Sequence, residues 1–343
     1  MHKNKILVTG GTGYIGSHTV VELLQKNYEV FIIDNLSNSY PWIIDNIEQI
    51  CGNRPVFHNI DLRDKEKLRE FFKNNPSIDG VIHFAAFKSV GESVEKPNLY
   101  YENNLMSLIN LLDCAKEAGI FNFIFSSSCT VYGEPDQVPI PEEAPLKKAS
   151  SPYGNTKRIS EEILMDNCAI SDIKVVSLRY FNPVGAHETG LIGELPLHPA
   201  QSLLPVITQT CIGKREKMQV HGNDYPTKDG TAIRDYFHVS DLAIAHINAF
   251  EYLINRKSKQ SFSVFNLGSE KGYSVLEIIN TFEQTNKVKV NYEMGPRRPG
   301  DIVRIWANSG NAKKVLGWKT ERTLEDMVRS AWKWEKYLKM RDF

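Results

Sequence analysis

Short apolar runs recur through the first half of the chain, each followed by a longer stretch whose apolar residues fall three or four apart. The runs are KILVT (5–9), EVFII (29–33), PVFHNI (55–60), DGVIHF (79–84), FNFIFSS (121–127) and IKVVSLRYF (173–181). Nearly unbroken apolar strands separated by helical patterns predict βαβ units and a parallel sheet buried on both faces. Leu105, Leu108, Ile109 and Leu112 predict a helix near 99–118. Ile159, Ile163 and Leu164 do the same for a helix opened at Ser151, and most of these side chains are read as core. The fold class that follows is α/β, a doubly wound parallel sheet.

The texture changes after Asn182, where Pro183, Pro196, Pro199, Pro205 and several glycines interrupt the pattern until SFSVFNL near 262–268. This part is expected to be loop-rich and to cap the carboxyl edge of the sheet, where such folds bind ligands. Helical patterns return at 274–285 and 323–339. Because FSVFN can return as a sheet strand, the expected organisation is interleaved. Residues 1–182 with about 235–267 form a nucleotide-binding unit, and 183–234 with 268–343 form a smaller C-terminal substrate unit.

Composition narrows the partners. Forty-one basic and forty-one acidic residues give a formal net charge of +0 over 343 residues, so no global field favours nucleic acid or an anionic membrane, and any anionic ligand needs local groups. Cys51, Cys114, Cys129, Cys168 and Cys211 are scattered without a C-x-x-C, and no H-E-x-x-H occurs, which predicts a reducing compartment and no metal. The opening M-H-K-N-K-I-L-V-T-G-G has too short an apolar run for a signal peptide, and no stretch approaches a membrane span of about 18 apolar residues. A cytoplasmic protein is expected.

Directly after the first run stands T-G-G-T-G-Y-I-G, with Gly10, Gly13 and Gly16 in a G-x-x-G-x-x-G array that opens a helix. Glycines there allow a tight turn, close approach of a pyrophosphate to backbone N–H groups and tight helix–strand packing. Asp34 ends the second run, where a carboxylate accepts both ribose hydroxyls and repels a 2′-phosphate. The array therefore predicts a Rossmann arrangement and NAD rather than NADP. Asp61-Leu62 after the third run suits an adenine contact, and Phe84-Ala85-Ala86 after the fourth makes a small-residue shelf. Taken singly, each of these pairs is equally at home as packing.

The fifth run ends in Ser126-Ser127-Ser128, and S-P-Y-G-N-T-K follows at 151–157. Ser151 suits an N-cap and Pro152 the first helical position, so Tyr153 and Lys157 share one helix face. A free phenol titrates near pH ~10, and holding it near ~7 takes about 4 kcal/mol of preferential phenolate stabilisation, which a fixed cation can help supply. Tyrosine and lysine at this spacing are common on ordinary helices. The catalytic reading rests on the set: Ser128 hydrogen-bonds the substrate oxygen, Tyr153 exchanges its proton, and Lys157 binds nicotinamide ribose while lowering the tyrosine pKa.

These residues resemble the extended short-chain dehydrogenase/reductase family. G-G-T-G-Y-I-G, H-F-A-A-F-K-S-V-G-E-S, S-S-S-C-T-V-Y-G, S-P-Y-G-N-T-K, R-Y-F-N-P-V-G-A-H, G-N-D-Y-P-T-K-D-G-T-A-I-R-D-Y-F-H-V-S-D-L, F-N-L-G and P-R-R-P-G-D are similar to the UDP-galactose (UDP-glucose) 4-epimerases within it, across nearly the whole chain. The resemblance implies a closed redox cycle at C4 of a UDP-sugar with retained NAD. It places Lys88, Ser128, Tyr153 and Lys157 at the reacting centre. Tyr14, Ile15, Asn35, Asn38, Ser39, Asn103, Tyr180, Phe181 and Pro183 fall beside the cofactor. Asn182, Ser202, Leu203, His221, Arg234, Tyr236, Arg298, Asp301 and Ile305 fall on the UDP-sugar, together with Phe181 and Lys88. A homodimer through the 99–118 and 152–168 helices is also implied. Without the resemblance, Asn103 reads as a helix bridge, Arg234-Asp235 as a surface pair and Arg297-Arg298 as a solvated basic turn.

The sequence departs from the family pattern at three places. Leu195–Leu204 lacks the usual P-N-N-L, leaving Ser202 where an Asn usually contacts substrate; His221 stands where a Phe often packs near uracil; and Ile305 replaces either a bulky Tyr or a small residue. Ile305 is intermediate in size, which raises activity on UDP-N-acetyl sugars as an expectation. Among alternatives, a nucleotide-sugar 4,6-dehydratase needs an acid–base pair after the strand-five hydroxyl, and Cys129-Thr130 supplies no carboxylate there. A UDP-glucuronate decarboxylase has no feature selecting it, and a non-catalytic NAD sensor has no need of Ser128, Tyr153 and Lys157 together.

Overall fold

The computed structural model describes residues 3–197, 199–298 and 301–341; Pro299 and Gly300 of the P-R-R-P-G-D motif and His198 of the 195–204 segment lie outside them. In chain order the elements are β1 (Lys5–Thr9), α1 (Tyr14–Gln25), β2 (Glu29–Asp34), α2 (Trp42–Cys51), β3 (Val56–Asn59), α3 (Lys65–Asn74), β4 (Gly80–His83), α4 (Val90–Glu95), α5 (Pro97–Glu117) and β5 (Asn122–Ser128). A short 3-10 turn, Cys129–Tyr132, leads to α6 (Pro152–Ile170), β6 (Lys174–Tyr180), β7 (Asn182–Val184), α7 (Leu203–Ile212), β8 (Met218–His221), β9 (Ile233–Arg234), β10 (Tyr236–His238), α8 (Val239–Ile254) and β11 (Phe262–Leu267). The chain then forms β12 (Tyr273–Ser274), α9 (Val275–Asn286), β13 (Tyr292–Gly295), β14 (Arg304–Ile305) and α10 (Leu324–Met340).

Seven strands form one parallel sheet in the order β11-β6-β5-β4-β1-β2-β3. Each strand buries alternate residues on opposite faces. Ile6, Val8 and Ile124 pack towards α1, α2 and α8, while Leu7, Phe123 and Phe125 pack towards α3, α5 and α6. Full burial of each such side chain stabilises the fold by about 1.5–3 kcal/mol, so both faces are held by apolar packing. The strand order reverses between β1 and β4, which opens a crevice at their carboxyl ends. The expectation of a doubly wound sheet is met, with the seventh strand contributed from beyond residue 260.

The later chain is more regular than its proline content suggests. Three small sheets, β10-β7, β12-β9-β14 and β13-β8, lie after residue 181. The α8 helix is buried on more than one side: Leu242, Ala245, His246, Ala249, Phe250 and Leu253 form one buried face, and Ala243 and Ile247 are buried outside it. A helix covered on most sides loses the periodic contrast by which helices are found in sequence. Its N-terminus is capped by His238, whose Nδ1 accepts the Ser240 N–H at 3.1 Å.

Candidate active site

The glycine turn is built by backbone crowding. Gly10 has φ +71°, and a Cβ there would meet the Ala85 nitrogen at 2.8 Å. At Gly16 a Cβ would stand 2.1 Å from the Gly10 oxygen, so only glycine lets α1 lean onto the turn. The side-chain-free cradle fits a pyrophosphate against the α1 N-terminus, with Tyr14 and Ile15 opening that helix. Asp34 is held at the end of β2 by the Leu36 N–H at 2.9 Å and the Thr12 N–H at 3.2 Å, with Ser39 Oγ bonded to Thr12 Oγ1 at 2.6 Å. Asn38 is exposed on the following turn, whereas Asn35 donates to Asp61 at 3.2 Å. Hydrogen bonds from Arg63 hold the Asp61 carboxyl down at about 2. Leu62 is buried under this loop, and Phe84, Ala85 and Ala86 follow β4 beside Gly10.

At the end of β5 the chain turns sharply. Ser128 Oγ accepts the Thr130 N–H at 3.2 Å, while Ser151 Oγ caps α6 by accepting the Gly154 N–H at 3.2 Å. Ser128 lies close enough to the Tyr153 phenol to favour its phenolate, and Lys157 Nζ donates to the Ser126 carbonyl at 2.7 Å while lying 4.9 Å from the Phe125 ring centroid. Tyr180 joins them through a 2.6 Å bond between its hydroxyl and Ser126 Oγ. Ser128, Tyr153 and Lys157 are therefore brought together, all nearly buried.

Burial dominates the electrostatics of the tyrosine. Burial drives the Tyr153 phenol well above its ordinary value, with Tyr180 adding to the rise and Ser128 opposing it. Burial pulls the Lys157 ammonium down to about 8, with the Glu161 carboxylate raising it. The protein framework alone thus opposes the phenolate, because desolvation of a buried phenol disfavours its charged form.

The remaining predicted residues fall in two groups. Lys88 is ion-paired to Glu194 at 2.9 Å and sits 5.5 Å from the Tyr14 ring centroid, while Ser202 Oγ donates to the same Glu194 oxygen at 3.0 Å. Leu203 begins α7 directly after Ser202. Farther along, Arg234 is ion-paired to Asp301, whose N–H donates to the Arg298 carbonyl at 3.2 Å. Ile305 lies beside Arg234 in the β14–β9 pairing and packs with Phe181 in a small buried cluster. The Asn182 N–H donates to the Asp235 carbonyl at 3.0 Å, with Pro183 next in β7, and His221 ends β8 opposite Gly295. Arg234, Asp301 and Arg298 lie within electrostatic reach of the buried Tyr236 hydroxyl. The surface-pair reading of Arg234-Asp235 does not hold. Asp235 is buried, its carboxylate accepting the Ser269 and Ala307 N–H groups at 2.7 and 2.9 Å, and Gly268 leaves it room. Arg297 and Arg298 are both exposed, as a solvated turn has them, with Arg297 paired to Asp224 at 2.7 Å and covering the Tyr225 ring.

Some framing residues carry no motif of their own. Asn103 donates to Asn104 at 3.1 Å, and Asn104 clips the shelf loop to α6 by accepting from the Phe87 N–H at 2.9 Å and donating to Thr156 at 3.1 Å. Glu194, which holds Lys88 and Ser202, sat unremarked in the loop-rich stretch. Glu161 had a legible signal, standing four residues past Lys157 on the same face.

A family model described as GDP-mannose 4,6 dehydratase matches residues 7–331. The UDP-glucose 4-epimerase of Yersinia enterocolitica is 49% identical over 332 residues, covering 96% of this chain and 97% of that one. That of Bacillus subtilis is 46% identical over 331 residues, covering 96% of each. Among solved structures, UDP-glucose-4-epimerase from Stenotrophomonas maltophila with bound NAD and formylated UDP-arabinopyranose superposes with a TM-score of 0.95 at 44% identity, covering 99% of this chain and 100% of its own. The Bifidobacterium longum enzyme in complex with NAD+ and UDP gives 0.91 at 45% identity, covering 97% and 98%. Dehydratase chemistry needs carboxyl groups behind the β5 hydroxyl, and Cys129 and Thr130 stand there instead. With its serine–tyrosine–lysine set at the mouth of the glycine cradle, the chain belongs to the UDP-glucose 4-epimerases of the extended short-chain dehydrogenase/reductase family.

Proposed function

We propose that the protein interconverts UDP-glucose and UDP-galactose with retained NAD. The observation that carries this reading is the meeting of Ser128, Tyr153 and Lys157 at the sheet edge where the Gly10–Gly16 cradle opens. Bound NAD would supply the acceptor for the sugar's C4 hydride, and inversion follows because the 4-keto sugar turns over before the hydride returns to the opposite face of C4. Tyr153 takes the O4 proton and gives it back, and Ser128 holds that oxygen. Lys157 supplies the positive charge that favours the phenolate, assisted by the cofactor's own cationic ring; together they offset the burial that raises Tyr153. Arg234 and Arg298 are assigned to the diphosphate, a group suited to the guanidinium fork, with Asp301, Asn182, Ser202, Leu203, His221 and Tyr236 around the nucleotide and Ile305 with Phe181 at the sugar. In this assignment residues 1–182 with 235–267 hold NAD, and 183–234 with 268–343 hold the UDP-sugar.

Two finer assignments go with it. Ile305 is read as admitting UDP-N-acetyl sugars at reduced rate, and complete failure to turn over UDP-GalNAc while UDP-galactose is consumed would remove that part. Met106, Ile109 and Met165 are exposed on α5 and α6, which supports a homodimer through these helices. No helix among the described residues is long and apolar enough to cross a membrane, and no three His, Cys, Asp or Glu side chains among them group as a metal would require. A cytoplasmic setting is part of the same proposal. The test is proton NMR of the protein as purified, given UDP-galactose and no nicotinamide. Anomeric signals of UDP-glucose are expected; unchanged substrate with folded, NAD-containing protein would refute the assignment.

A further inference from the structure

Three successive serines of β5 face three successive turns of α6. Ser128 stands beside Tyr153, the Ser126 carbonyl accepts from Lys157 at 2.7 Å, and Ser127 Oγ donates to Glu161 Oε1 at 2.7 Å. Tyr153, Lys157 and Glu161 are spaced by four, so they lie along one face of α6 as a ladder against one strand. The third rung is the most firmly anchored. Glu161 is fully buried and receives Arg179 Nε at 3.0 Å and Nη2 at 2.6 Å, with Ser177 Oγ at 2.7 Å. Arg179 is itself held by the Tyr132 hydroxyl at 3.0 Å, and Tyr132 by Asn266 at 2.7 Å. Strands β5 and β6 thus meet on one carboxylate of α6, with the 3-10 turn and β11 behind Arg179, and that carboxylate touches no part of the crevice chemistry directly.

We propose that Glu161 is a positioning residue for the reaction assigned above: it locks the register of α6 against β5 and supplies the negative charge that keeps Lys157 a cation. An apolar contact would hold two elements together without the penalty of a buried ion pair. A carboxylate one turn behind Lys157 does something an apolar side chain cannot. The titratable and charged groups facing the pair are His83 from β4, Tyr180 and Arg179 from β6, Cys129 after β5 and Tyr100 from α5. The Glu161 carboxylate raises Lys157 against burial, and none of those groups does.

The test is the phenolate absorbance titration of the NAD-containing protein, taken as the difference from a Tyr153→Phe variant. It needs no turnover, so it separates this inference from the assigned activity. In Glu161→Gln the lysine loses its proton at lower pH and the Tyr153 midpoint moves up by about one pH unit. Ser177→Ala, which removes a neutral partner from the same oxygen, lowers thermal stability but leaves the midpoint in place. Because Glu161→Gln strands the Arg179 charge, the double variant Glu161→Gln/Arg179→Met is measured alongside. It recovers stability while keeping the shifted midpoint. A Tyr153 midpoint unchanged in whichever of these two variants folds would overturn the inference, leaving Glu161 a packing element.

Discussion

Replacing Gly16 by alanine is the sharpest test of the cradle. The added Cβ would lie 2.1 Å from the Gly10 oxygen and 2.9 Å from two further backbone atoms of the turn, none of which can rotate aside. Relief requires α1 to withdraw from the turn by about 1 Å, and overpacking of this kind costs roughly 1–3 kcal/mol. At about 2.1 cal/mol/K of unfolding entropy per residue, the chain carries roughly 0.7 kcal/mol/K, so the loss appears as a Tm lower by about 1–4 °C. The larger effect is on the ligand. Withdrawing α1 moves its N-terminal N–H groups from the pyrophosphate, so the protein purifies with little NAD. The assay is the nucleotide released on heat denaturation, per mole of protein, beside a melting curve. Gly52→Ala is the matched control: Gly52 has φ +65° with nothing within 4 Å of its Cβ position, so it costs about 1 kcal/mol of backbone strain and no NAD. Wild-type NAD content in Gly16→Ala, or equal NAD loss in both variants, would refute the reasoning.

Other outcomes follow from the same geometry. Tyr153→Phe keeps its NAD but loses turnover by about 10²–10⁴-fold, the usual worth of a proton-transferring group, which the NMR assay measures directly. His18, His83 and His238 are held near about 3 and His246 near about 4 by burial. Their folded pKa values are depressed, so their contribution to stability is present above about 6.5 and is lost as the pH falls from there towards the folded values, at up to roughly 1.4 kcal/mol per group per pH unit. A Tm that stays flat from about pH 7.5 to 5.5 would contradict this. Ile305→Ala opens the small cluster it shares with Phe181, costing about 2–5 kcal/mol and raising the rate on UDP-GalNAc relative to UDP-galactose. An unchanged ratio in competition assays would place the sugar's N-acetyl group elsewhere.

The sheet was legible because its strands are buried on both faces, leaving apolar runs whose ends agree with the observed strands to within a residue or so. The Tyr153/Lys157 face was legible because helical spacing is local. What stayed hidden depends on partners far along the chain. Nothing near Asp235 in sequence announces that Ser269 and Ala307 would enclose it, and nothing near Lys88 points to Glu194. The desolvation that raises the Tyr153 phenol stayed hidden for a related reason, since spacing locates a lysine but says nothing of the burial around it.

The sheet's seventh strand has a consequence for synthesis. β6 is complete at Tyr180, but its outer neighbour β11 ends only at Leu267, after the whole insertion that carries α7 and α8. At about 5–20 residues per second the ribosome needs roughly 4–17 s to deliver that strand, and until then the apolar edge of Lys174–Tyr180 has no pairing partner. An unpaired apolar edge is a template for association with other nascent chains. Slowed translation between residues 182 and 267 therefore favours aggregation over folding, and chaperone capture should peak on ribosomes paused in that interval.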